Sequence, residues 1–187
     1  IIGMDTTSLI QPPALKFDTL PGTDFYKAAE DVYNIVNTIT SKQIEIAKHW
    51  DCNPLQTHAN GHFMYASRQM TPGGHWMGIA GIAATKSKFD LFETSKVYTN
   101  VSMVLYEGFI VSWKTKFRYE LIRPETYINR YINPNWRPIL ETPPFPEYTS
   151  AHSVISMGAA SAPALSNNAV SCASVVVILP LICTRPP

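Results

Sequence analysis

The stretch from about Phe89 to Leu121 constrains this chain most. Its apolar residues, Leu91, Val97, Val101, Val104, Leu105, Phe109, Trp113 and Phe117, recur at helical spacing and cover more than one face. A helix apolar nearly all round needs neighbours on every side, which places it at the centre of a bundle. Ser87 with Asp90 reads as its start. Thr23 reads as the cap of an earlier helix with Phe25, Ala29, Val32, Val36 and Ile39 on one stripe. Thr40 with Gln43 forms a capping box for a second helix through Ile44, Ala47 and Trp50, which Asp51 to Pro54 end. Thr71 and Pro72 suit the cap and first position of a short helix around Trp76 to Ala84, with Gly73 and Gly74 weakening its first turn. Alternation of period two is hardly seen, so the expected fold is an all-α bundle of about five or six helices.

Composition narrows the partners. Charged residues are 16% of the 187 and the formal net charge is +1, with no run of Lys and Arg, so no field gathers nucleic acid or an anionic membrane. An anion, if bound, is bound at a site. Cys52, Cys172 and Cys183 are an odd number without metal-ribbon spacing, so they imply neither a zinc site nor a disulfide framework. His58 and His62 stand four apart as metal ligands can, yet Asn60 and Gly61 between them read as a turn and no carboxylate stands nearby, so no metal site is expected. His75 reads as a structural histidine in a Gly-rich turn, and Trp50, Trp113 and Trp136 as packing residues.

After Tyr148 the only charged residue is Arg185. The chain therefore divides into a helical domain over 1–160 and an atypical low-charge tail over 161–187. The apolar run from Ala169 to Cys183 is shorter than the roughly 18 residues that span a bilayer, so no membrane span is expected. The chain opens with Ile1 and no leader-like segment, which reads as a processed or incomplete start.

The residues that carry chemistry lie in two segments. Lys116 and Arg123 are seven apart, nearly two helical turns, so on a continuous helix they leave one face about 10 Å apart along the axis and can converge on one anion. Pro124 disfavours helical backbone at Arg123 and should end the helix there. In the second segment, Thr149 or Ser150 suits the N-cap of a helix through Val154, Ile155 and Met157, whose first amides attract an oxyanion. Ser150 adds a hydroxyl, and His152 a group able to move a proton near neutral pH.

In these segments the sequence resembles the type 2 phosphatidic acid phosphatase and vanadium-dependent haloperoxidase superfamily. Lys116, Arg123 and Pro124 match its first motif, and Thr149, Ser150, Ala151 and His152 match its second loosely, with Ala151 where the family has glycine. Gly61-His-Phe-Met, Thr71-Pro-Gly-Gly-His-Trp and Pro143-Pro-Phe-Pro-Glu-Tyr look like the soluble bacterial haloperoxidase-like branch, and the resemblance covers roughly Ser41 to Gly158. It implies that Lys116 and Arg123 neutralise phosphate or vanadate oxygens, that Ser150 and the amide of Ala151 donate to the same anion, and that His152 is the general acid/base. Vanadate is the implied cofactor, a small oxyanion or phosphoester the implied partner, and a bacterial periplasmic or secreted location the implied setting. Phosphoester hydrolysis and peroxide-dependent halide oxidation share the cradle and stay open here. No histidine follows His152, so the third motif is absent and the last family helix is expected to be missing, as a frameshift or truncation would produce. The alternative is a non-catalytic fragment or anion-binding pseudoenzyme without turnover.

Overall fold

The computed structural model describes residues 9–53, 55–68 and 70–162. Six helices lie among them: α1 Asp24–Thr38, α2 Ser41–His49, α3 Pro72–Lys86, α4 Leu91–Tyr119, α5 Pro124–Tyr131 and α6 Ala151–Ser161. The fold is all-α, as expected. Among the described residues its one addition is an antiparallel hairpin of β1 Leu55–Asn60 and β2 Phe63–Arg68, paired from Leu55 with Arg68 to Asn60 with Phe63. Gly61, with φ of 61°, takes the first central position of the turn, where a two-residue hairpin demands a positive φ. The turn at Asn60 and Gly61 was legible; the strands were not, because neither alternates apolar with polar. His58 is thus a strand residue opposite Tyr65, and His62 lies in the turn.

Chain contacts divide into two compact units, Ile1–Gln69 with Lys114–Thr149, and Met70–Trp113 with Ser150–Pro187. In the first, α1 lays Ala29 and the half-buried Phe25, Val32 and Val36 against Tyr127 and Ile128 of α5 and against Trp136. Tyr127 is 1% exposed and its hydroxyl donates to the Asp18 carbonyl at 2.7 Å. Burial raises the pKa of that phenol, because the charged form would lose its water.

In the second unit Val97, Val101 and Leu105 of α4 pack with Trp76 and Ala80 of α3 and with Ile155, Ala159 and Ala160 of α6. The Trp76 indole donates to the buried Ser156 hydroxyl at 3.2 Å. The expected all-round burial of α4 is corrected: its buried residues, Val97, Val101, Leu105, Ser112, Thr115 and Lys116, form one stripe, while Leu91, Phe92, Tyr106 and Phe117 are exposed.

Several helix ends fall where the caps require. Thr40 and Gln43 form the capping box. Thr71 accepts from the Gly74 amide, and α3 runs through Gly73, Gly74 and His75, so these form a first helical turn rather than a loop. Two starts differ from expectation. Asp90, not Ser87, caps α4: its carboxylate accepts from the Glu93 amide at 2.8 Å, and the Glu93 carboxylate accepts from the Asp90 amide at 3.3 Å. Thr23 stands at the N-cap of α1 without capping it, its hydroxyl donating instead to the Leu20 carbonyl. Of the tail over 161–187, Ser161 ends α6 and Ala162 is its C-cap residue, while the rest of the tail and the question of a last helix lie outside the described residues.

Candidate functional site

α4 ends at Tyr119. Glu120 follows with φ of 46°, a left-handed backbone that costs a residue with a side chain about 1–2 kcal/mol, and its amide donates to the Lys116 carbonyl. The chain then turns, and Arg123 becomes the N-cap residue of α5 with extended backbone, Pro124 taking the first helical position. The expectation that Lys116 and Arg123 leave one helix face is therefore corrected. They come from two elements, and what they share is a target.

That target is the segment Phe145 to Glu147. Lys116, 2% exposed, donates from Nζ to the carbonyls of Pro146 at 2.8 Å and Glu147 at 2.9 Å. Arg123 donates from Nε to the Phe145 carbonyl and from Nη1 to the Glu147 carboxylate at 2.7 Å. The ammonium and the guanidinium both stand over the Phe145 ring, 5.0 and 4.7 Å from its centre, within cation–π range. The segment is itself fixed, since the Glu147 amide donates to the Leu121 carbonyl and the Phe145 amide to that of Pro143.

Each cation keeps a donor in hand. The ammonium has three protons and two are placed. Arg123 Nη2 is buried and has no hydrogen-bond partner among the described residues. Burial, then the neighbouring Arg123, lower the pKa of Lys116 to about 8, with Glu147 pulling the other way. Two cations with buried, unspent donors form a surface that wants an anion, because a tetrahedral oxyanion offers several acceptors and the missing negative charge.

Ser150, Ala151 and His152 open α6, in the other unit. Ser150 is the N-cap, which decides between it and Thr149: its hydroxyl accepts from the Ser153 amide at 3.2 Å and from the Ser153 hydroxyl at 2.9 Å. Its own proton is left to donate. Ala151 and His152 are the first two helical residues, and the His152 side chain is exposed. Ser112, one turn before Lys116 on α4, is fully buried with a hydroxyl that lacks a partner among the described residues, a feature that sequence reasoning missed. The carbonyls of 145–147 were missed too, for backbone acceptors leave no mark in a sequence.

Among the described residues no group of three or more His, Cys, Asp or Glu side chains is placed to hold a metal ion, and no helix is long and apolar enough to cross a membrane. The donor set fits an oxyanion such as vanadate, which needs cations and N–H or O–H groups rather than carboxylate ligands.

No family model and no curated protein matches the chain. Among solved structures it is similar to one described as the first bacterial vanadium-dependent iodoperoxidase, with 42% sequence identity and a TM-score of 0.76. That match covers 85% of this chain and 37% of the other, so the chain spans little more than a third of that protein's length.

Proposed function

Because the chain belongs to the vanadium-dependent haloperoxidase and type 2 phosphatidic acid phosphatase superfamily, we propose that it carries the vanadate-binding cradle of a haloperoxidase that uses peroxide to oxidise a halide, iodide by analogy with the similar structure. The observation that carries this reading is the pair of tethered cations, Lys116 and Arg123, with a buried Arg123 Nη2 left unpartnered. Bound vanadate would supply the peroxide activation and halide oxidation that no side chain can perform.

The protein's own residues hold and orient the anion. Lys116 and Arg123 neutralise its charge, and Ser150 and the amide of Ala151, which the resemblance assigns to the same anion, would supply directional donors. An imidazole nitrogen of His152, the general acid/base that the resemblance implies, would take up or release a proton at an anion oxygen. Ala151 is accommodated as a helical residue at the start of α6, where a methyl group favours the helix.

Calorimetric titration with orthovanadate tests the reading. Arg123→Ala should weaken binding by roughly tenfold or more, because hydrogen bonds to charged groups are worth about 1.5–3 kcal/mol. Ser150→Ala should cost less, about fivefold, since it deletes one neutral donor. Affinity unchanged by both substitutions would refute the cradle.

A further inference from the structure

We infer that Glu147 is a positioning residue for the oxyanion site: it grips one edge of Arg123 so that the opposite corner of the guanidinium, Nη2, is presented to the anion. The inference rests on the proposed function and goes beyond it by assigning a role to a carboxylate, a group that an anion site would ordinarily exclude. A carboxylate beside a phosphate-like anion repels it, so its presence calls for a compensating gain.

The geometry supplies the gain. A guanidinium is a rigid plane with five donor protons, and fixing two of its nitrogens fixes the third. Nε is held by the Phe145 carbonyl and Nη1 by Glu147, partners two residues apart on one segment. The same segment holds Lys116 through the carbonyls of Pro146 and Glu147. Glu147 therefore contacts both cations, one through its backbone and one through its side chain. The segment is anchored at the Glu147 amide by the Leu121 carbonyl, in the connection between α4 and α5. Three successive residues act as a rack that sets the spacing of the two positive charges before any anion arrives. Such preorganisation raises affinity by removing side-chain entropy that binding would otherwise consume.

Side-chain substitutions separate position from charge. Glu147→Gln keeps an oxygen at the same reach and loses the charge, whereas Glu147→Asp keeps the charge and withdraws it by one methylene. Glu147 is partly exposed, so neither change should unfold the chain; thermal unfolding is recorded for each. Inorganic phosphate is titrated into wild type, Glu147→Gln, Glu147→Asp and Arg123→Ala. Below the pH at which Lys116 loses its proton in either protein, the inference requires Glu147→Gln to bind as tightly as wild type or more tightly, because the grip is kept and the repulsion removed. It requires Glu147→Asp to bind several-fold more weakly. The reverse order, or three indistinguishable affinities, overturns it while leaving the cradle standing. Wild-type binding that is absent, or that ignores Arg123→Ala, overturns the cradle and this inference together.

Discussion

Lys116 carries the clearest electrostatic signature in the chain. Its ammonium is almost wholly buried and lies near Arg123, so its pKa falls to about 8 instead of the usual value above 10. A lowered lysine pKa means that the charge is present below about pH 8 and is lost above it. Inorganic phosphate is already mostly the dianion near pH 8 and stays so above it, so its affinity should fall as pH rises past about 8. Glu147→Gln removes the charge that supports the ammonium and should move the break to lower pH. Phosphate titrations across about pH 7 to 10 read both, and an affinity that is flat across that range would exclude Lys116 from the site. The residue types were legible in the sequence, where Lys116, Arg123, Ser150 and His152 stand out by chemistry and spacing. What holds the cations was not, because two carbonyls bind Lys116 and a third binds Arg123, and any residue carries a carbonyl.

Helices were legible where a cap or a stripe announced them. The Thr40 and Gln43 box and the α1 stripe of Phe25, Ala29, Val32 and Val36 stand as expected. The end of α4 was not, since Glu120 gives no warning of a left-handed backbone, and a continuous helix through Arg123 was the simpler expectation. Close packing between elements was hidden as well. α4 and α6 approach at Gly158, where an added methyl would lie 2.5 Å from a Val104 methyl. Val104 is β-branched and on a helix, with one strongly preferred rotamer, so it cannot turn aside freely. Gly158→Ala should therefore destabilise the protein by about 1–3 kcal/mol of overpacking, despite the better helix propensity of alanine. Chemical denaturation measures this, and a variant as stable as wild type would show that Val104 yields.

Fold class was legible for the chain as a whole because one long helical segment and low charge admit few alternatives to a helical bundle. The division into two units was not, for it cuts α4 between Trp113 and Lys114 with no break in the sequence pattern. It assigns Lys116 and Arg123 to one unit and Ser150, Ala151 and His152 to the other. The central claim is that Lys116 and Arg123, held by one segment, serve one anion. Orthovanadate titration followed by proton–nitrogen NMR tests it most directly, with the Arg123 side-chain Nε–H as reporter. A shared cradle requires that signal to shift saturably, and the shift to be lost in Lys116→Ala. An Arg123 signal that orthovanadate leaves unmoved, or that shifts alike in Lys116→Ala, would contradict the account.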